Sequence, residues 1–203
     1  MVASQIEARG IRDERILQAM RDVPRERFVP PEHRMEAYSD SPLPIGFGQT
    51  ISQPYVVALM IERLELTEKD CVLEVGAGSG YAAAVMSRIV DEVFGIERVG
   101  ALAARSSELL ETLAYGNVEV RHGDGRDGWP EQAPFSAVSI AAGGTGVPES
   151  LLQQLAVDGR LIMPVKRGIF GQRLVRLRRE ADDRFIEERL GRVHFVPLVS
   201  GTA

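Results

Sequence analysis

Beginning at Cys71, short apolar runs bounded by turn residues alternate with longer helix-forming stretches, and that alternation leaves few folds open. Cys71-Val72-Leu73-Glu74-Val75 reads as a buried strand. Gly76 to Gly80 is a glycine loop, and the alanine-rich stretch from Tyr81 to Val90 is a helix. Val93-Phe94-Gly95-Ile96 forms a second strand that ends at Glu97, residues 99–114 a helix, and Val118-Glu119-Val120 a third strand. Phe135 to Ile140 is a fourth strand, Pro148 to Leu155 a helix with proline in its favoured first turn, and Gly159 to Met163 a fifth strand. Strands joined through helices need crossover connections, which place them parallel in a doubly wound sheet. The expected class is α/β, with a Rossmann-like, mostly parallel sheet.

Both flanks break the alternation. Residues 4–21 read as one amphipathic helix with Ile6, Ile16, Leu17 and Met20 on a shared face, although Gly10 weakens its middle. Val23-Pro24 ends it. Residues 24–54 hold six of the eleven prolines and form a long irregular segment, a kind more often functional than idle. A second helix is expected from Pro54 to Leu64. At the other end, Leu174 to Arg178 and Phe185 to Leu190 read as strands joined by an Ala181-Asp182-Asp183-Arg184 turn. Val193 to Val199 reads as a final strand interrupted by Pro197. The 203 residues suit one domain in three parts: helices and a loop over 1–66, a core over 67–165, and antiparallel strands over 166–203.

Charge narrows the partners. The formal net charge is -5, whereas a nucleic-acid binder needs a basic excess, so no nucleic-acid partner is expected. Arg173, Arg176, Arg178 and Arg179 cluster but alternate with Leu174, Val175 and Leu177, which reads as the solvent face of a strand. No apolar run is long enough to cross a bilayer, so no membrane partner is expected. The first residues lack the pattern of a signal peptide, and the single cysteine, Cys71, cannot close an internal disulfide. A cytoplasmic, monomeric protein is the expectation. His33, His122 and His194 are scattered, with no metal-ligand spacing and no metal expected.

The sharpest motif is Glu74-Val75-Gly76-Ala77-Gly78-Ser79-Gly80-Tyr81. A dinucleotide fingerprint would put its third glycine at position 81, which is tyrosine, and the lysine of a P-loop is missing. Glycines still let a backbone approach a ligand closely, and a loop between a first strand and its helix lies where open α/β sheets bind ligands. Glu97, ending the second strand, can accept from both ribose hydroxyls. Asp124, in Gly123-Asp124-Gly125 after the third strand, can accept from an adenine amino group. Taken singly, the glycines also admit the lesser reading of a tight strand–helix turn, and Asp124 reads more readily as a turn residue. In this order the three features favour the cofactor site of a class I S-adenosylmethionine-dependent methyltransferase.

Over nearly its whole length the chain resembles the protein-L-isoaspartate O-methyltransferases. The resemblance is carried by Val23-Pro24-Arg25-Glu26-Arg27-Phe28-Val29, by Pro42-Leu43-Pro44-Ile45-Gly46-Phe47-Gly48-Gln49-Thr50-Ile51-Ser52-Gln53-Pro54, and by Leu73 to Tyr81. Gly123-Asp124-Gly125, Gly128-Trp129-Pro130 and Phe195-Val196-Pro197-Leu198-Val199 complete it. The resemblance implies S-adenosylmethionine as methyl donor, S-adenosylhomocysteine as product, and L-isoaspartyl (also D-aspartyl) residues of damaged proteins or peptides as acceptors. It implies cofactor contacts from Glu74, Gly76, Gly78, Ser79, Gly80, Glu97, Asp124 and Gly125. It places Gln49, Thr50, Ile51 and Ser52 against the acceptor, with Ser52 as the active-site serine. Read without the resemblance, Ser52 just before a helix is an N-cap. Two places depart from the family pattern: Ser136 replaces an aspartate, and Ala141-Ala142-Gly143-Gly144-Thr145-Gly146 replaces a stretch richer in Ala-Pro, where added glycine would loosen the acceptor pocket. The competing readings are a methyltransferase for another small-molecule or dedicated peptide carboxylate, and a module that binds the cofactor without turnover.

Overall fold

The computed structural model describes residues 1–166, 171–181 and 184–203. Helix α1 (Glu14–Asp22) leads through 3-10 turns at Arg25–Phe28 and Pro31–Glu36 to a hairpin of β1 (Leu43–Gly46) and β2 (Gln49–Ile51). Helix α2 (Pro54–Leu64) follows. Then come β3 (Cys71–Val75), α3 (Tyr81–Met86), β4 (Glu92–Glu97), α4 (Gly100–Thr112) and β5 (Val118–His122). The order closes with β6 (Phe135–Ile140), α5 (Glu149–Gln153), β7 (Leu155–Lys166), β8 (Gln172–Arg179) and β9 (Phe185–Val193).

The last seven strands form one sheet in the order β5-β4-β3-β6-β7-β8-β9. The pairs from β5 through β7 are parallel, and β7–β8 and β8–β9 are antiparallel. The chain winds outward from β3 to β5, then crosses back to β6. That reversal beside β3 opens a crevice at the carboxyl ends of the strands. Successive strand residues point to opposite faces. Val72, Ala137, Ile162 and Leu174 join a core with α1, α2 and α3, while Leu73, Val138, Leu161 and Val175 join a second core with Trp129, Phe135 and Leu151. Both faces are covered over β3, β4 and β6, which is why those strands read as nearly unbroken apolar runs, whereas the edge strand β5 alternates. Each fully buried leucine or isoleucine contributes about 1.5–3 kcal/mol.

Several expectations meet a different structure. The helix expected over 4–21 is split: Val2–Ile6 and Glu7–Arg9 form short turns, Gly10 takes a left-handed φ of 102°, and α1 restarts where the Asp13 side chain accepts from Arg15 N. A left-handed glycine stops a helix and an aspartate cap begins one, so the shared apolar face survives the break. Helix α3 is shorter than expected and ends at Met86. Pro148 precedes α5 as its cap, and α5 stops at Gln153 because Leu155 already pairs with Phe135. Strand β7 is much longer than Gly159 to Met163. Asp158 (φ 63°) and Gly159 look like a turn but lie in a bulge, since Phe135 pairs with Leu155 and Ala137 with Arg160.

The tail also differs. The expected strand over 193–199 does not form: Val193 ends β9, and from Val196 to Leu198 the backbone bonds go to Gly143, whose N donates to Val196 O and whose O accepts from Leu198 N, each at 2.8 Å. The expected turn between β8 and β9 lies partly outside the described residues, at Asp182 and Asp183. The arginines of β8 do not share one solvent face. Arg176 and Arg178 alternate onto the face of Leu174, and Arg173 and Arg179 onto that of Val175 and Leu177. Arg176 pairs with Glu65 at 2.7 Å and Arg178 with Asp158 at 3.0 Å. Residues 24–54 are more ordered than an irregular segment, because Phe47 and Gly48 both adopt positive φ and close the β1–β2 hairpin.

Candidate active site

A cleft of about 790 Å³, counting its open mouth, lies at the carboxyl ends of β3, β4 and β6. The loop after β3 forms its floor. Gly76, Gly78 and Gly80 take φ of 85°, 55° and 83°, a region that costs other residues about 1–2 kcal/mol each. The loop is pinned to β4, as Gly76 N and Ala77 N both donate to Ile96 O, at 2.8 and 3.1 Å. Gly78 N donates to Glu97 Oε2 and Val99 N to Glu97 Oε1, both at 2.9 Å. Glu97 is therefore buried at the end of β4 with lone pairs left toward the cleft that it lines.

Glu74 and Ser79 line the same cleft. Glu74 is 2% exposed, and its Oε2 has no hydrogen-bond partner among the described residues. Burial, and then the nearby Glu97 charge, push its carboxyl up to about 8, so it holds its proton at neutral pH. Gly80 sits behind the loop, where a Cβ would come 3.0 Å from Leu110 Cδ1; it serves the packing of α3 on α4. Gly125 lines the cleft against Val75, whose Cγ1 would lie 2.4 Å from any Cβ there. Asp124 does not line it. Its Oδ1 accepts from Arg126 N and its Oδ2 from Gly201 N, the bonds of a turn residue that also ties down the tail.

The opposite wall is Gln49, Thr50, Ile51 and Ser52, at the end of the hairpin. Gln53, not Ser52, occupies the cap position of α2. The Ser52 hydroxyl has no hydrogen-bond partner among the described residues, so the capping role is not the one it plays. A second groove of about 910 Å³ runs from Thr50, Ser52 and Ala141 to residues 192–196. Thr50, Ser52 and Ala141 line both spaces, which puts the free hydroxyl where they meet.

Two arginines that the sequence reading passed over hold this wall. Arg25, wholly buried, donates from Nη2 to Ser52 O at 2.8 Å. Arg105 donates from Nη2 to Ile45 O at 2.7 Å. The only signal for Arg25 was its place in the Val23 to Val29 stretch. The departures from the family pattern sit quietly. Ser136 accepts from Cys71 N at 3.3 Å, at the amino ends of β3 and β6, away from the cleft. Gly143 and Gly144 pack tightly: a Cβ would lie 2.3 Å from Gln172 Nε2 at the first and 2.6 Å from Met163 Cε at the second. These glycines admit the tail rather than loosen the pocket. Among the described residues no three His, Cys, Asp or Glu side chains come together as a metal site.

The sequence model of the protein-L-isoaspartate(D-aspartate) O-methyltransferase family matches residues 1–203. Protein-L-isoaspartate O-methyltransferase 1 of Rhodopseudomonas palustris (strain HaA2) is 58% identical over 98% of this chain and 81% of its own length. Protein-L-isoaspartate O-methyltransferase 2 of Pelobacter propionicus is 55% identical over 98% of this chain and 88% of its own. Among solved structures, a protein-L-isoaspartate O-methyltransferase from Plasmodium falciparum in complex with S-adenosyl-L-homocysteine superposes with a TM-score of 0.84, at 28% identity, over 98% of this chain and 96% of that one. With its glycine-floored cleft and free serine, this chain belongs to the protein-L-isoaspartate(D-aspartate) O-methyltransferase family.

Proposed function

We propose that this chain transfers a methyl group from S-adenosylmethionine to the free α-carboxylate of L-isoaspartyl and D-aspartyl residues in damaged proteins or peptides, with Ser52 orienting the acceptor. One observation carries the role of Ser52: an unpartnered hydroxyl at the junction of two cavities, one floored by glycines and one open along residues 192–196.

The residues of the cleft fit the cofactor. Left-handed glycines bring main chain close to a ligand, Glu97 presents lone pairs suited to a ribose diol, and the unpartnered Glu74 Oε2 suits a ligand's ammonium group. Glu74, Gly76, Gly78, Ser79, Glu97 and Gly125 would hold it; Gly80 shapes the loop from behind, and Asp124 sets the turn that presents Gly125. When bound, S-adenosylmethionine supplies an electrophilic methyl group. The acceptor needs no general base, because an α-carboxyl with an ordinary pKa of about 3.5 is already ionised at neutral pH. What remains for the protein is alignment and exclusion of water. Ser52 donates to one carboxylate oxygen and leaves the other directed into the cleft, while Gln49, Thr50 and Ile51 bound the acceptor chain. The methyl ester carries a better leaving group than a carboxylate, so the neighbouring backbone nitrogen can attack its carbonyl, break the C–OCH3 bond with loss of methanol and close a succinimide whose hydrolysis returns some normal aspartate.

We further infer a monomeric, cytoplasmic enzyme without a nucleic-acid partner, in keeping with the net charge of -5. No helix of the described residues is long and apolar enough to cross a membrane. The test pairs an isoaspartyl peptide with its normal aspartyl twin. Methyl transfer is expected to the first alone, and Ser52→Ala should cut it about a hundredfold while S-adenosylmethionine affinity stays unchanged. Equal transfer to both peptides, or an equal loss of turnover and cofactor affinity in the variant, overturns the reading.

A further inference from the structure

Arg25 is wholly buried, and its guanidinium joins two remote stretches of main chain. Nε donates to Ala37 O at 2.7 Å and Nη2 to Ser52 O at 2.8 Å. Its Cζ lies 4.8 Å from the centroid of the Tyr81 ring, at the start of α3. Among the described residues no carboxylate pairs with it, and Nη1 has no partner. An arginine in a protein does not shed its charge, so the fold carries a buried cation without an acidic counterpart, a costly arrangement.

That cost is informative. A neutral amide could satisfy the same carbonyls at less expense in desolvation. What a guanidinium adds is a rigid planar fork that holds its acceptors at a set separation and angle. Ser52 stands after β2 and before α2, so neither a strand ladder nor a helix fixes its main chain. The fork does, without lining the cleft itself.

We propose that Arg25 is a positioning residue for the acceptor: by clamping the Ser52 carbonyl it sets the direction in which the Ser52 hydroxyl faces the cleft. The proposal rests on the acceptor role assigned to Ser52. Arg25 lines neither the cleft nor the groove, so it acts through Ser52 and not by touching substrate.

The test uses the full chain carrying Arg25→Met or Arg25→Lys. Three quantities are read: S-adenosylhomocysteine affinity by calorimetry, kcat and KM for an isoaspartyl peptide, and amide hydrogen exchange of residues 50–53. For Arg25→Met we expect kcat to fall tenfold or more and exchange at 50–53 to quicken at least tenfold. Cofactor-product affinity should stay within twofold, and exchange in β3 and α3 should not change. Arg25→Lys, which keeps the charge and loses the fork, should recover part of kcat. Should Arg25→Met fail to fold, Arg25→Lys carries the same three measurements. Unchanged kcat, a parallel loss of product affinity, or quickened exchange spread through β3 and α3 overturns the proposal. Absence of turnover by the wild-type chain on the isoaspartyl peptide overturns the functional reading instead, and exchange at 50–53 then decides whether Arg25 holds Ser52.

Discussion

The two walls of the cleft are built on opposite plans. The glycine-loop wall is local: its bonds run between main chain of β3 and β4 and to one carboxylate, Glu97, nineteen residues from the Gly78 N–H it accepts. The serine wall is held from afar, by Arg25 across 27 residues and by Arg105 across 60. A wall tied by main-chain bonds to the neighbouring strand depends on few side chains. A wall hung from distant side chains can be tuned, or lost, by changes that never touch the site.

The largest effect that would break this contrast is at Glu97. On the proposed reading Glu97→Gln loses charge-assisted hydrogen bonding worth about 1.5–3 kcal/mol, so calorimetry should find S-adenosylmethionine bound about ten- to hundredfold more weakly. The KM for the isoaspartyl peptide should hold. If it rises in step, the walls are not independent. A smaller effect sharpens the buried character of the local wall. Folded, Glu74 keeps its proton up to about pH 8; unfolded, it loses it near 4.5. Between those values the unfolded chain binds fewer protons, so stability falls as pH rises, by at most about 1.4 kcal/mol per unit. Urea titrations at a series of pH values should show this slope flattened in Glu74→Gln; an unaltered slope means that the carboxyl is solvated. The smallest effect concerns the tail. A Cβ at Gly143 would strike the Gln172 amide, which brackets Phe195 through bonds of 3.0 and 2.7 Å. Gly143→Ala should cost about 1–2 kcal/mol in denaturant unfolding.

The same contrast explains what could be read from residue order. Strands β3 and β6 were legible to the residue because a parallel strand covered on both faces must be an apolar run between turns. The glycine loop and Glu97 were legible because their spacing is local. Strand β7 was not, since Asp158-Gly159 resembles a turn and only pairing with β6 reveals a bulge. Residues 193–199 read as a strand because most are apolar, yet Val193 ends β9 and the backbone of Val196 and Leu198 bonds to Gly143. Arg25 was invisible for a plainer reason. Among charged neighbours it reads as surface, and nothing nearby in the chain signals that Ala37 and Ser52 converge on it.

The cleft takes one rim from residues 49–52 and the other from residues 196–199, while its floor comes from between them. A domain generally folds as a unit, so floor and rims form together. A chain cut before residue 196 lacks the second rim, and such a fragment should be inert. Chemistry needs two stretches far apart in the sequence to meet over the glycine loop, so the enclosure forms only where the whole fold has formed, before another protein is touched.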